Sequence, residues 1–92
     1  MAPGVGMPIY HTHKENEEVY IFIHGEGQIE IDNEIIDIHE GSVVRIAPNG
    51  ERIWRNNSNV MLVYVIIQMR DNSLRQYGLA DSNITEKKVA WQ

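Results

Sequence analysis

Hydrophobic and polar positions along the chain alternate at period two, which is typical of β-strands. Turn residues bound the windows that show this pattern, which are residues 7–13, 18–24, 28–32, 34–38, 42–46 and 51–57. A longer apolar run follows at 60–69, and the pattern predicts a weak closing strand around 87–91. No window has a helical period with caps. The chain is therefore predicted to be all-β, a sandwich or small barrel of seven or eight strands.

Two tight turns are marked by the residue types that favour them. Asp32-Asn33 separates two alternating windows and predicts a short β-hairpin. Pro48-Asn49-Gly50 predicts a second reversal, which leads into the window at 51–57.

Two of the predicted strands are apolar on both faces. Both alternate sets of the run at 60–69 are apolar, and the strand at 18–24 also has two apolar sets. These are Val19, Ile21 and Ile23 on one face and Tyr20 and Phe22 on the other. A small barrel has one interior, so an apolar outer face needs a second cover. We expect a homodimer, and the alternative is a cap formed by the C-terminal segment of the same chain.

The composition sets the class of protein but adds little about function. The 92 residues predict one domain, 1–92. The net charge of −5 with scattered basic residues argues against a nucleic-acid surface. No apolar run approaches the roughly 20 residues that span a bilayer, and no leader is recognised, so we expect a cytoplasmic protein without a membrane partner. Without cysteine, any metal must bind imidazole, carboxylate or water.

One polar stretch contains candidate metal ligands. On a strand His11 and His13 share a face, and Glu18 begins the next strand. Two imidazoles and one carboxylate form a facial set that leaves coordination positions open. The alternative is a solvated polar loop. His24 and His39 are interpreted as surface or turn residues.

This stretch resembles the first motif of the cupin family, which is HxH, three or four residues, Glu, six residues and Gly. Here His11 and His13 form the HxH, four residues precede Glu18, and six more lead to Gly25. The spacing favours Glu18 over Glu17 as the matching carboxylate.

A second stretch resembles the second cupin motif, which is Gly, five residues, Pro-x-Gly, two residues, His, three residues and Asn. Counted from Gly41, the His position falls on Arg52 and the Asn position on Asn56, while Pro48 and Gly50 each come one residue late. The resemblance covers roughly residues 4–68. It divides the domain into motif one (4–25), motif two (41–56) and a C-terminal segment (70–92).

The resemblance implies a cupin-type double-stranded β-helix or small jelly-roll-like β-barrel, usually dimeric, with its ligands facing the interior. It implies a metal site at His11, His13 and Glu18. The second-motif histidine, commonly the fourth ligand, is replaced by Arg52, which has no lone pair to offer. Either Arg52 turns away to pair with Glu17 or a partner's acidic group, or no metal binds and Arg52 pairs with Glu18.

The leading functional hypothesis is a small cupin that binds a divalent transition metal (Zn, Fe, Ni or Mn) and a small polar or anionic molecule. Dioxygenase- or isomerase-like chemistry would follow if it is an enzyme, but the fold does not give the reaction. One alternative is a metal-free binding or sensor cupin in which Arg52, Tyr20 and Trp54 hold a sugar or organic acid. Another is a structural dimerisation module.

Overall fold

The computed structural model describes residues 1–72 and 83–91, and their regular structure consists of antiparallel strands. The strands are β1 (Asn16–His24), β2 (Glu26–Ile31), β3 (Glu34–His39), β4 (Val43–Ile46), β5 (Arg52–Arg55) and β6 (Val63–Arg70). They form two three-stranded sheets with the orders β4-β1-β6 and β3-β2-β5. Within the described ranges there is no helix that could cross a membrane. The all-β prediction is confirmed.

The core lies between the inward faces of the two sheets. Its buried apolar side chains are Tyr20, Phe22, Ile29, Ile38, Ile46, Trp54 and Leu62. The aromatic members pack at 5–7 Å, as in the edge-to-face contact of Tyr20 with Trp54, whose ring centroids are 5.1 Å apart. The alternation read from the sequence therefore places one side-chain set of each strand in this interior.

Both predicted turns are present. Asp32 and Asn33 have φ of 48° and 70°, the left-handed pair that a two-residue hairpin between β2 and β3 requires. In the second turn Asn49 has φ of 67° and the Gly50 amide donates to the Ala47 carbonyl at 3.2 Å. This turn brings the chain into β5.

Two predicted strands are wrong. Residues 7–13 form no continuous strand but touch β5 through the isolated bridge of His11 with Arg52, and Gly6 just before them makes a second bridge with Arg55. Pro8 interrupts this edge because proline has no amide hydrogen to donate. The weak closing strand around 87–91 is also absent from the described segment 83–91, whose adjacent lysines favour solvent over a sheet face. The described residues hold six strands rather than seven or eight.

Gly25 ends β1 in a conformation that favours glycine. Its φ is +91°, and a Cβ there would lie 2.3 Å from the Met61 carbonyl oxygen. The first motif therefore ends on a glycine for a steric reason, because the backbone after β1 passes directly against the segment that precedes β6.

We expect Gly25→Ala to lower the free energy of unfolding by about 2–4 kcal/mol, because it adds left-handed strain to a backbone clash. Gly41→Ala is the matched control, since Gly41 has φ of +87° and nothing within 4 Å of its added Cβ. The free energy of unfolding of the control is expected to fall by about 1–2 kcal/mol, the cost of the left-handed strain alone. Denaturant unfolding measures both, and equal losses in the two variants would show that the Met61 contact has no effect.

The outer face of the β4-β1-β6 sheet is apolar and exposed within one chain. Val43 is 64% exposed, and Val65 and Ile67 are 44% exposed. The alternative cap is not seen in the described part of the C-terminal segment, where Ile84 and Trp91 are themselves about nine-tenths exposed. We propose that a second copy of the chain covers this face. In such a dimer the apolar face and the exposed apolar side chains of the C-terminal segment, Ile84 and Trp91, would be buried together.

Light scattering is expected to give twice the 10.6 kDa mass of one chain. Ile67→Lys places a charge in the proposed interface and is expected to yield monomers. Ile35→Lys is the control, because Ile35 is an exposed apolar residue (62%) on the other sheet. A wild-type monomer, or equal dissociation by both variants, would contradict the proposal.

Candidate metal centre

The two histidines of the first motif are positioned by backbone contacts. The His11 amide donates to the Arg52 carbonyl at 3.2 Å, and the Arg52 amide donates to the His11 carbonyl at 3.1 Å. The His13 carbonyl accepts the Asn49 amide at 2.7 Å. These contacts hold both residues beside β5 although they lie in no strand. Their rings pack edge to face with centroids 5.3 Å apart.

Glu18 points inward from β1 and meets both rings. Its Oε1 lies 3.5 Å from His13 Nε2 and 4.0 Å from His11 Nε2. One ligand atom from each of the three side chains lies within 4.8 Å of the others. Ligands that bind one ion at about 2.0–2.2 Å stand roughly 3–4 Å apart. The donor set fits a divalent transition ion after a small contraction.

The Glu18 carboxylate is the common partner of several polar side chains, which together form a buried polar cluster. The Tyr20 hydroxyl donates to its Oε1 at 3.0 Å, and the Gln68 amide donates to its Oε2 at 3.3 Å. The Arg52 Nη2 lies 3.3 Å from Oε1, and the Glu18 residue is only 5% exposed. The carboxylate is thus kept buried by several donors and one positive charge, as a buried charge requires.

Two side chains of the cluster have shifted pKa values. Burial, together with the neighbouring Glu18 carboxylate, raises the pKa of Tyr20 far above its usual value, so the hydroxyl stays protonated and donates. Burial and the Arg52 guanidinium lower the pKa of His11 below its usual value. A neutral imidazole offers a lone pair, which is the form that binds metals.

Arg52 is fully buried, and of the two predicted pairing partners, Glu17 and Glu18, it contacts Glu18. It lies beside Glu18, while Glu17 pairs with Arg45 instead. Its Nε, Nη1 and Nη2 atoms have no hydrogen-bond partner among the described residues. A buried guanidinium with unused donors is matched by a planar anion, which it binds through two parallel hydrogen bonds.

The two aromatic candidates lie at the same centre. Trp54 packs edge to face against His11, with ring centroids 5.8 Å apart, and its buried Nε1 has no partner in the described structure. Tyr20 is fully buried, and its hydroxyl is already engaged with Glu18. Trp54 therefore has a free donor for a ligand, whereas Tyr20 orients the carboxylate.

Asn56, which closes the second motif, has a structural role. Its side-chain amide donates to the carbonyls of Met1 and Val60 at 3.1 and 2.6 Å, and its Oδ1 accepts the Ser58 amide. These bonds shape the loop between β5 and β6. Among the other histidines, His24 and His39 are exposed and belong to no ligand cluster within the described ranges.

Gln68 is a site residue that the sequence analysis missed. It lies opposite Glu18 in the β1–β6 register, and its Nε2 is 3.2 Å from His13 Nε2. The available signal was its position as the polar amide within an otherwise apolar run at 60–69. A polar side chain inside such a run indicates a face that meets other polar groups.

A separate groove of about 300 Å³ lies on the outer side of the β3-β2-β5 sheet. Its lining includes Tyr10, Gln28, Glu30 and Arg55, and none of His11, His13 and Glu18. In the groove Tyr10 donates to Glu30 at 3.0 Å and Arg55 donates to Gln28. The polar groups of the groove therefore pair with one another, whereas the ligand cluster found among the described residues lies in the interior.

Comparisons with known proteins agree with this architecture. A cupin protein of Bacteroides fragilis is 37% identical, with a TM-score of 0.85 over 91% of this chain and 71% of its own. A predicted oxalate decarboxylase of Thermotoga maritima is 21% identical, with a TM-score of 0.72 over 76% of this chain and 60% of its own. No curated protein matches in sequence.

A third similar structure comes from Acidithiobacillus ferrooxidans and is provisionally assigned as a sugar phosphate isomerase. It is 25% identical, with a TM-score of 0.70 over 76% of this chain and 46% of its own. The chain thus spans between about half and three quarters of the length of these relatives. The cupin domain model matches residues 1–68, so the motifs and the double-stranded β-helix identify the chain as a member of the cupin family.

Proposed function

We propose that this cupin binds one divalent transition metal through His11, His13 and Glu18, and holds a small anion beside it. The proposal rests on one observation, which is that a ligand atom from each of these three side chains lies within 4.8 Å of the other two. Two nitrogens and one carboxylate oxygen suit zinc, iron, nickel or manganese. When bound, such an ion supplies Lewis-acid polarisation or an oxygen-binding centre.

Arg52 is the residue that we propose binds the anion. Its guanidinium neutralises Glu18 in the absence of an ion, and its free donors lie at the same buried centre. A divalent ion at the triad would leave excess positive charge there. A small carboxylate or phosphate that contacts Arg52 would reduce this charge, and Trp54 Nε1 offers a further donor.

The substrate class follows from the same chemistry. A small anionic molecule is consistent with the oxalate decarboxylase and sugar phosphate isomerase assignments of two similar structures. In either reaction class Arg52 orients the anionic group of the substrate, and Tyr20 keeps Glu18 in place through its hydroxyl. Glu18 and Arg52 would make a costly core for a purely structural module, since burying an ion pair gains little stability.

Calorimetric titration of chelator-treated protein tests the proposal with zinc, iron(II), nickel and manganese in turn. One ion per chain is expected for at least one of them. Oxalate is then titrated into the metal-loaded protein, and binding is expected that Arg52→Met abolishes. Protein that takes up none of the four metals would contradict the metal assignment, and oxalate binding that does not require Arg52 would contradict the anion assignment.

A metal-free binding protein is the second candidate, favoured by the contact of Arg52 with Glu18 at 3.3 Å. In that case Arg52 and Trp54 hold a sugar or organic acid directly. Titration of oxalate into the chelator-treated protein separates the two candidates, because the metal-free protein would bind oxalate after chelation and show no heat with metals.

A further inference from the structure

Gln68 contacts two of the three proposed metal ligands. Its Nε2 lies 3.2 Å from His13 Nε2 and 3.3 Å from Glu18 Oε2. An amide nitrogen has two hydrogens, one for each acceptor. The contact with His13 needs an unprotonated Nε2, which is also the form of a metal ligand. The amide group of Gln68 therefore donates to the His13 lone pair that an ion would use, and to the second carboxylate oxygen of Glu18.

The register of the β4-β1-β6 sheet places Gln68 beside Glu18. Gln68 pairs with Glu18 across β1 and β6, so both side chains point to the same face. The histidines approach from the segment on the other side, along β5. Gln68 thus closes the polar cluster from the β6 side, at a position that neither cupin motif covers.

A metal ion would reverse the preferred orientation of this amide. The NH2 group carries partial positive charge and is repelled by a divalent cation, whereas the carbonyl oxygen is an acceptable ligand for zinc, iron or manganese. Rotation of the terminal amide by about 180° exchanges the two atoms, and this torsion is soft and roughly two-fold. The side chain needs no new backbone position to present its oxygen.

Asn16 is placed to support both orientations. Its Nδ2 now donates to Gln68 Oε1 at 3.1 Å, which fixes the NH2 group of Gln68 toward the cluster. If both amides rotate, Asn16 Oδ1 accepts from Gln68 Nε2 and the hydrogen bond between them is kept. The exchange therefore costs no hydrogen bond between these two residues.

We propose that Gln68 is the fourth protein ligand, binding the metal through Oε1 in the place of the histidine that the second motif lacks. The inference rests on the proposed metal function. It explains how a chain with a buried arginine at the second-motif position still surrounds an ion with four protein donors, two nitrogens and two oxygens. Such a mixed set is typical of zinc, iron and manganese sites.

Cobalt(II) titration of chelator-treated protein tests the proposal, because its visible absorption reports the ligands directly. Gln68→Leu is expected to change the absorption bands and to weaken cobalt binding by at least about tenfold. Gln68→Glu, which keeps an oxygen ligand, is expected to retain the affinity. Gln28→Leu is the control, because Gln28 bonds Asp37 and Arg55 on the outer face of the other sheet.

An absorption spectrum of Gln68→Leu that matches the wild type would overturn the proposal even if the affinity falls, since that result describes a residue that only orients Glu18 and His13. Wild-type protein that binds no cobalt and none of the other metals would overturn the proposed metal function instead. The two failures are therefore distinguishable.

Discussion

His13→Ala is expected to weaken metal binding by more than about 100-fold, because loss of a residue that merely supports a ligand already costs 10- to 100-fold. His13 Nε2 is 3.5 Å from Glu18 Oε1, so an ion at the triad would contact it directly. The side chain is about one third exposed and lies in no strand, so its loss removes little packing. Calorimetric titration with zinc or manganese measures the change.

His24→Ala serves as the matched control for His13→Ala. His24 ends β1 but is exposed, and it belongs to no ligand cluster of the described residues. Its removal is expected to leave metal affinity within about twofold, as for a surface substitution. Equal losses in the two variants would show that histidine loss acts through general destabilisation and not through the metal.

Arg52→Met is expected to raise metal affinity by at least tenfold and to destabilise the metal-free protein. A unit positive charge about 6 Å from a divalent ion is repelled by about 5 kcal/mol at an effective dielectric of 20. Removing it also leaves the buried Glu18 carboxylate without its counter-charge, which costs about 3–5 kcal/mol when no ion is present. Metal then becomes the partner that stabilises Glu18.

Thermal unfolding of wild type and Arg52→Met, each with and without zinc, measures both effects. The variant is purified with zinc so that the folded state can be loaded even when the metal-free form unfolds. Arg52→His extends the series, because it removes the charge and adds the ligand that the second motif usually has. Metal affinity is expected to rise from wild type to Arg52→Met to Arg52→His. Weaker zinc binding by both variants would show that the guanidinium does not face the metal position.

The alternation in the sequence was sufficient to predict the six strands that the described residues form, but it also predicted strands at 7–13 and 87–91 that are absent there. Alternation at period two predicts which side chains of β2 face inward, since a strand exposes successive residues to opposite faces. It does not choose the inward face of β1, because both faces of that strand are apolar. The Asp32-Asn33 hairpin follows from the two left-handed φ values that its turn needs. The segment at 7–13 was not predictable in this way, because its apolar residues fit a strand while Pro8 breaks the ladder.

The candidate site was predicted only in part. Motif spacing predicts that His11, His13 and Glu18 lie together, and one ligand atom of each lies within 4.8 Å of the others. The contacts of Arg52 and Gln68 depend on how β5 and β6 are placed against β1. Such long-range placement cannot be predicted from the local pattern of apolar and polar residues. The choice of Arg52 between Glu17 and Glu18 likewise depends on Arg45, which pairs with Glu17 from β4.

Elemental analysis of protein purified without added metal determines whether the cluster of His11, His13 and Glu18 holds an ion, with the wild type and His13→Ala prepared side by side. About one equivalent of zinc, iron, nickel or manganese is expected per wild-type chain, with a near-complete loss in the variant. A wild-type protein that carries no metal and remains empty after exposure to all four ions would contradict the proposed metal site.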